Sequence, residues 1–288
     1  DLVSYLWSTS ATTQTINVTT SGSYTVTTTN ANGCTATSAP VVVSINASPT
    51  VSITGVNYFC AGNSTNLTAN ATAGSGSITG YQWQESSVDI SGATNSTYSA
   101  NAPGSYTVIV YNSNGCSTTS APFVVSQANN PTVNITGNAP FCAGGSILLT
   151  ANATAGSGSI AGYQWQESNI DIVGQTNSTF TATAAGSYTV IVTNTFGCTA
   201  ASVPVVVTLF ASPTVSITGI NYACQGNSQT LSANATAGSG SITGYQWQES
   251  NVDIPGETNS TYSVSAAGSY TVIVYNSNGC STTSAPFV

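Results

Sequence analysis

The stretch GSYTVIVYNSNGCSTTSAPFV at 104–124 decides the fold, and it is repeated letter for letter at 268–288. Tyr106, Val108 and Val110 recur at every second position in the β-branched and aromatic stretch SYTVIVYN, which is the period of a β-strand with a buried face. The Asn-Gly pair that follows predicts a turn into a second strand. The segment AGSGSITGYQWQES at 73–86 likewise recurs at 237–250, and at 155–168 with one substitution. Self-similarity at a fixed period, here 82 residues, is typical of a repeat array.

Proline marks the boundaries of these repeats, because Pro49, Pro131 and Pro213 each open a Pro-Thr-Val strand after a short polar linker. We therefore predict four domains, with a partial repeat at the N-terminal end: 1–46, 47–128, 129–210 and 211–288. The first domain matches only the second half of a repeat, and the last ends inside a predicted strand. We expect the chain to be a segment of a longer protein whose targeting signals lie elsewhere.

Each full repeat predicts a series of short strands, with turn residues every 8–12 positions and no competing helical periodicity. A single Trp lies in the predicted third strand of each repeat, and a Tyr opens the strand that corresponds to strand F of immunoglobulin-like domains. The fold class is therefore all-β: tandem immunoglobulin-like antiparallel β-sandwiches in a head-to-tail rod. The predicted core anchors are Trp7, Trp83, Trp165, Trp247, Tyr24, Tyr106, Tyr188 and Tyr270.

The charge composition removes several classes of function. The chain has no Lys, Arg or His and eight acidic residues, for a net charge of −8. Phosphate backbones are bound by Lys and Arg, so we expect no nucleic-acid partner. Without His or Lys the chain cannot form a Ser-His pair, a Cys-His pair or a lysine Schiff base, so it is predicted not to be an enzyme and to need no cofactor. No apolar run reaches the roughly 18 residues of a membrane span.

Carboxylates are the remaining candidates for chemistry. Pairs with four-residue spacing recur in each full repeat, and such pairs occur in glycosidases and in calcium sites. Because the chain has few acids and the pairs recur identically, solvated surface charge beside a turn is the favoured interpretation. We predict no catalytic or metal site, with weak calcium binding kept as an alternative for Glu85, Asp89, Glu167, Asp171, Glu249 and Asp253.

Seven cysteines recur in two sets with the period of the repeat, namely Cys60, Cys142, Cys224 and Cys34, Cys116, Cys198, Cys280. In a chain without His, this pattern favours disulfides over metal and an oxidising, extracellular or cell-surface location. Within-repeat pairing would be Cys60–Cys116, Cys142–Cys198 and Cys224–Cys280. Geometry favours pairing between repeats, Cys60–Cys198 and Cys142–Cys280, because the A–B and F–G turns lie at opposite ends of an immunoglobulin-like domain. At ~3.3 Å per strand residue the two turns are about 25 Å apart, whereas a disulfide joins Cα atoms within about 7 Å. Both alternatives remain open at this point.

The repeated motifs resemble the immunoglobulin-like and PKD-like tandem repeats of giant secreted surface proteins of gliding bacteria and their relatives. The residues that carry the resemblance are CAGNSTNLTA (60–69), YQW (81–83), GSYTV (104–108) and NGC (114–116), with their counterparts in the other repeats. The resemblance implies a structural segment of an extracellular surface filament or adhesin stalk. The alternative that it leaves open is a carbohydrate- or surface-binding module attached to a secreted enzyme.

Partners follow from the surface that such repeats present. Val-rich strand edges without Lys favour edge-to-edge pairing, so we expect self-association or bundling into filaments, with a glycan or cell-surface ligand as a further possibility. Four aromatic residues adjoin the first cysteine set, and packing at a domain junction is favoured over sugar stacking for them: Tyr58, Phe59, Phe141 and Tyr222.

Overall fold

The computed structural model describes residues 2–137, 139–222, 224 and 226–288. The chain forms two compact units, Asp1–Gln127 and Ala128–Val288. In the described residues the secondary structure is β throughout, in several sheets whose strands pair almost entirely antiparallel. The all-β fold predicted from the sequence is confirmed. The same residues contain no helix with the length and hydropathy needed to cross a membrane.

The first unit contains the partial repeat and one full repeat. Strands of the partial repeat are β1 (Leu2–Trp7), β2 (Gly22–Tyr24), β3 (Val26–Asn30), β4 (Thr35–Thr37) and β5 (Val41–Val43). Strands of the full repeat are β6 (Thr50–Gly55), β7 (Tyr58–Cys60), β8 (Thr65–Thr72), β9 (Ile78–Glu85), β10 (Val88–Asp89), β11 (Thr97–Ala100), β12 (Gly104–Asn112), β13 (Ser117–Thr119) and β14 (Phe123–Ala128).

The full repeat of the first unit is a two-layer sandwich. One sheet has the order β11-β8-β6, and the other has the order β10-β9-β12-β14-β7, with β13 also paired to β12. In immunoglobulin-like terms these sheets are E-B-A and C′-C-F-G-A′. Residues from both layers meet in one apolar core that includes Leu67, Trp83 and Val108, each fully buried. Alternating inward residues of two sheets therefore produce the core, as the period-2 pattern predicts.

The second unit repeats this architecture twice. Its first repeat contains β15 (Thr132–Thr136), β16 (Phe141–Cys142), β17 (Ile147–Thr154), β18 (Ile160–Glu167), β19 (Ile170–Asp171), β20 (Thr179–Ala182), β21 (Gly186–Asn194), β22 (Thr199–Ala201), β23 (Val205–Val207) and β24 (Leu209–Phe210). Its second repeat contains β25 (Thr214–Thr218), β26 (Gln229–Thr236), β27 (Ile242–Glu249), β28 (Val252–Asp253), β29 (Thr261–Val264), β30 (Tyr270–Asn276) and β31 (Ser281–Thr283). The sheet orders β15-β17-β20 and β25-β26-β29 match the E-B-A sheet, and β16 pairs parallel to β24.

The second strand that the sequence predicts after the Asn-Gly turn is not continuous. In the structure it is broken into β13 and β14 around Ser120, Ala121 and Pro122. Proline lacks the N–H that a ladder needs, so the pairing to β12 is interrupted there and resumes in β14. The hydroxyl of Ser120 instead accepts the hydrogen bond of the Val108 N–H at 3.1 Å, which keeps that buried donor satisfied.

The predicted anchors of the full repeats lie in the cores. Trp83, Trp165 and Trp247 are fully buried, and each indole N–H donates to a backbone carbonyl at 2.9 Å. Trp7 differs, because it is only half-buried and donates to the carbonyl of Thr13. Residues 2–46 form only the small sheets β1-β3-β4 and β2-β5, with no E-B-A sheet among the described residues to cover the indole.

The strand F tyrosines form the hydrogen bond of a tyrosine corner. The Tyr106 hydroxyl donates to the Ala102 carbonyl at 2.8 Å, and Tyr24, Tyr188 and Tyr270 do the same four residues upstream. Burial raises the pKa of Tyr106 above its usual 10.0, and the charge of Glu85 raises it further. The neutral phenol is therefore the form that the fold stabilises.

Candidate functional site at the repeat junction

The recurring carboxylate pairs do not form a joint site. In the hairpin of β9 and β10, Asp89 lies opposite Gln84, whose side-chain amide donates to it at 2.8 Å, and Glu85 lies opposite Val88. Successive residues of a strand point to opposite faces, so Glu85 and Asp89 lie on different faces of the hairpin. The other two pairs have the same register. The calcium alternative therefore loses its two-carboxylate ligand set in each hairpin, and the described residues contain no group of three metal-ligating side chains.

The aromatic residues near the first cysteine set differ in burial from one repeat to the next. Phe59 is buried in the core of the first full repeat, and Phe141 packs against the core of the next. Tyr222, by contrast, is 77% exposed. It lines a cavity of about 610 Å³ in the last repeat, beside Cys224 and bounded by Leu231, Val264 and Phe287. Packing accounts for the two phenylalanines and does not account for Tyr222.

The F–G turn that carries the second cysteine set is built by a buried asparagine. The side-chain carbonyl of Asn276 accepts hydrogen bonds from the N–H groups of Asn278 and Cys280 at 3.1 and 2.9 Å. Gly279 completes the turn with a φ of 77°, a left-handed conformation that favours glycine. Local hydrogen bonds that do not involve the sulfur atom therefore hold the backbone of Cys280 in place.

The same asparagine ties this turn to the linker between repeats. Its side-chain amide donates to the carbonyls of Ala211, in the linker, and Ala237, in the B–C loop, at 3.2 and 2.9 Å. Asn276 is only 2% exposed. With two donated and two accepted bonds, this side chain uses its full hydrogen-bonding capacity, and it connects three segments that are distant in sequence.

The B–C loop completes what we call the junction cluster, namely linker residues 211–212, loop residues 237–241 and turn residues 276–280. The N–H of Ala211 donates to the Ser239 hydroxyl at 2.9 Å, and the Ser239 N–H donates back to the Ala211 carbonyl at 3.1 Å. Gly238 has a φ of 66°, and a Cβ built there would lie 2.3 Å from the carbonyl oxygen of Ser212. Glycine is required because the loop and the linker are in backbone contact.

Equivalent clusters hold the other linkers. Asn112 donates to Ala47 and Ala73, and Asn194 donates to Asn129 and Ala155. The sequence interpretation missed these asparagines, although they carry a visible signal. Asn recurs four residues before each cysteine of the second set, at positions 30, 112, 194 and 276, where a strand F would otherwise continue.

A disulfide joins two repeats at this cluster. Cys142, at the A–B turn of one repeat, is bonded to Cys280, at the F–G turn of the next, with a Cα–Cα distance of 5.6 Å and a sequence separation of 138 residues. The bond belongs to the between-repeat alternative and not to the within-repeat pairings of Cys142 with Cys198 and Cys224 with Cys280. The 82-residue repeat therefore has two covalent connections to its neighbour, the peptide linker and the disulfide.

The remaining cysteines fall into two groups. Cys60 and Cys198 are also disulfide-bonded, whereas Cys34, Cys116 and Cys224 are free thiols. The within-repeat pairing Cys60–Cys116 is therefore wrong, because Cys116 is not oxidised. The Cys60–Cys198 pairing stays a prediction.

Comparison with known proteins gives likenesses in structure only. No family model matches the chain, and no curated protein matches it in sequence. The three N-terminal domains of the highly immunogenic outer capsid protein of bacteriophage RB49 share 17% identity, with 84% of this chain and 96% of that chain covered and a TM-score of 0.32. Fibronectin(III)-like modules of Clostridium thermocellum CbhA share 17% identity, covering 56% and 94% with a TM-score of 0.37. A marsupial T cell receptor shares 10% identity, covering 81% and 99% with a TM-score of 0.38. At these TM-scores the similarities do not extend to function.

Proposed function

We propose that this chain is a structural repeat segment of a long extracellular surface filament or adhesin stalk of bacterial type, and that it has no catalytic activity of its own. The observation that carries the proposal is the Cys142–Cys280 disulfide, which connects one repeat to the next. Disulfides persist in oxidising surroundings such as the cell surface. A bond between domains adds nothing to a reaction, but it transmits force across a domain boundary.

The mechanical argument follows from the two attachments. A single peptide linker lets two domains pivot about it, whereas a second covalent attachment restricts that rotation. The junction cluster also fixes residues 211–212 to the repeat that follows them, through Asn276 and Ser239. The linker is thus part of a folded domain and does not act as a flexible tether. We propose that the repeats are arranged head to tail in a rod for this reason.

Side-by-side association is the second part of the proposal. Val42, Val124 and Val206 occupy the same position in strand G of successive repeats and are 75%, 66% and 63% exposed. A recurring exposed apolar side chain on the face of a sheet, in a chain without Lys or Arg, favours bundling through sheet faces. Sedimentation velocity checks this, because replacing the three valines with glutamate is expected to convert bundled material to monomer. Unchanged sedimentation would count against bundling.

Single-molecule extension tests the structural function. The protein to be pulled retains only Cys142 and Cys280, with the other cysteines changed to serine. Under oxidising conditions the 138 residues between them are excluded from extension. Reduction is expected to add about 450–490 Å of contour length, since an extended chain spans ~3.3–3.6 Å per residue.

A matched variant that retains only Cys142 and Cys198 provides the control. Between-repeat geometry predicts that this pair does not form, so that reduction adds no length. If disulfides formed within repeats, reduction would instead release about 180–200 Å of contour length in the Cys142/Cys198 variant, at the same length per residue. It would then release none in the Cys142/Cys280 variant. That second pattern would contradict the proposed transmission of force between repeats.

The rival function is a carbohydrate- or surface-binding repeat module, and one observation favours it. The outer face of each E-B-A sheet carries neutral hydroxyl and amide groups, such as the Thr50–Thr72 hydroxyl pair at 2.7 Å and the Asn70 amide that donates to Thr54 at 2.9 Å. Both pairs recur in the other full repeats, so weak binding to each would give avidity. Retention on insoluble polysaccharides, lost when Asn70, Asn152 and Asn234 are all changed to alanine, would favour this function.

A further inference from the structure

Two repeats carry an exposed tyrosine on the outer face of the C′-C-F-G sheet. Tyr111 in β12 and Tyr275 in β30 are each 39% exposed, and the residues before them, Val110 and Val274, are fully buried. Because successive residues of a strand point to opposite faces, both tyrosine side chains lie on the solvent side. The repeat 129–210 has Thr193 at the equivalent position. The fold therefore accepts a small polar residue there, and packing does not require an aromatic ring.

Each tyrosine pairs with a glycine that the backbone does not need. Tyr111 lies opposite Gly80 of β9, and Tyr275 lies opposite Gly244 of β27. Neither glycine has a positive φ, and a Cβ built on either would meet no atom of a described, non-adjacent residue within 4 Å. The tyrosine ring therefore does not cover the glycine, and each pair leaves an open slot above the sheet. Glycine weakens a strand interior and often marks a position that a ligand approaches closely.

Hydrogen-bonding groups lie on two sides of this slot. The side-chain amide of Gln82, two residues along the strand from Gly80, donates to two backbone carbonyls at 2.9 and 2.8 Å, which fixes the amide and leaves its Oε1 to accept from a ligand. Gln246 donates the same two bonds in the last repeat. On the other side, the exposed Ser117 of β13 pairs with Tyr111. A flat aromatic ring is thus combined with a small number of fixed polar groups, as in sites that orient a small ligand.

We propose that each slot binds a neutral sugar residue of a glycan, stacked on Tyr111 or Tyr275 above the paired glycine. A pyranose ring has one face of C–H groups and a rim of hydroxyls, so it suits both the aromatic ring and the polar groups. The chain has no Lys, Arg or His and a net charge of −8, so a glycan with carboxylate or sulfate groups would be repelled. The repeat with Thr193 is not a site. The inference goes beyond the proposed structural function, and it uses the opposite sheet from the rival function.

Affinity electrophoresis of the full chain tests the proposal, in native gels that each contain one soluble polysaccharide. The neutral probes are mixed-linkage β-glucan, arabinoxylan, galactomannan and dextran, and the acidic probes are alginate and hyaluronan. We expect at least one neutral probe to retard the chain, and neither acidic probe to do so. Changing Tyr111 and Tyr275 together to threonine, as in the repeat with Thr193, should weaken that binding about tenfold or more, because the stacking contact is lost.

Gly80→Val combined with Gly244→Val separates binding from folding. A valine Cβ has room at both positions, and valine favours a strand, so the melting temperature should not fall. The slots are then filled, and retardation by the neutral probe should be lost. Gly162→Val, at the equivalent position of the repeat with Thr193, is the matched control and should leave binding unchanged.

Several outcomes would overturn the inference. They are no retardation by any neutral probe, equal retardation by the acidic probes, and binding that survives the double valine variant. Loss of binding when Asn70, Asn152 and Asn234 are changed to alanine would also overturn it, because it would move the site to the E-B-A sheet. The extension experiment under Proposed function depends only on Cys142 and Cys280, so each of these outcomes leaves that test of the structural role unaffected.

Discussion

Replacing Asn276 with alanine tests whether the junction cluster determines the stability of the last repeat. The substitution removes four hydrogen bonds from a side chain that is 2% exposed. A typical intramolecular hydrogen bond contributes about 1 kcal/mol net, and a buried group left without a partner costs about 1–3 kcal/mol. The opened turn lets water reach some of the partners, so we expect a loss of about 3 kcal/mol.

Hydrogen exchange measured by mass spectrometry is the appropriate assay, because it reports each repeat separately within the intact chain. A loss of about 3 kcal/mol accelerates exchange in β30 by roughly 100-fold, at about 1.4 kcal/mol per tenfold change. Strand β21 of the preceding repeat serves as the internal reference. Asn234→Ala is the matched control, because Asn234 is exposed and donates one side-chain bond, to Thr218.

Asn276→Asp separates the two halves of the cluster. The aspartate still accepts from Asn278 and Cys280, but as a carboxylate it cannot donate to Ala211 and Ala237. Burial against carbonyl oxygens raises the folded-state pKa of this carboxyl above its unfolded value of about 4. The variant therefore loses stability as the pH rises from about 4 through the folded-state pKa, and it regains stability in acid. If Asn276→Ala affects β30 no more than Asn234→Ala does, the cluster is not a stabilising element.

The remaining predictions concern the loop, the tyrosines and the core. Gly238→Ala should destabilise the last repeat by about 1–3 kcal/mol more than Gly256→Ala in thermal melts, because both have positive φ but only Gly238 contacts backbone. Burial raises the pKa of Tyr106 from 10.0 and likewise the pKa values of Tyr98, Tyr188, Tyr262 and Tyr270. The unfolded chain therefore releases these protons at lower pH than the folded chain, and stability should fall above pH 10. A free energy of unfolding in denaturant that is the same at about pH 11 as at about pH 9 would contradict this. Leu231→Ala, at a site 1% exposed, should cost about 2–5 kcal/mol in denaturant unfolding, and a smaller cost would show that the core collapses around the cavity.

The strand pattern was predictable from the sequence because its period-2 alternation and its aromatic residues reflect local requirements of a sandwich. The pairing of Trp83 with Val108 across two strands and the tyrosine-corner hydrogen bond of Tyr106 are consistent with those patterns. The short β7 strand and the break at Pro122 were less visible, since they depend on which neighbour each backbone group meets.

The candidate site was predictable only in part. Cysteine spacing indicated disulfides, and the length of a strand favoured bonds between repeats, but the role of Asn276 depends on the three-dimensional proximity of three loops. The recurrence of Asn at 30, 112, 194 and 276 is visible in the sequence, but it does not show that the Asn276 amide donates to a carbonyl 65 residues away. The opposite faces of Glu85 and Asp89 follow from the two-residue turn at Ser86 and Ser87, whose positive φ values define the hairpin register.

Loop-closure entropy explains what the between-repeat bond does and does not provide. In the chain-entropy model, closing the 138-residue loop of Cys142–Cys280 stabilises the folded state by about 5 kcal/mol, and a 56-residue loop within a repeat would give about 4 kcal/mol. A difference of about 1 kcal/mol is too small to account for the choice of partner. The two bonds differ instead in what they connect, since a within-repeat bond leaves the linker as the sole covalent path between domains. The pairing of Cys142 with Cys280 therefore favours transmission of force along the chain over the stability of any one repeat.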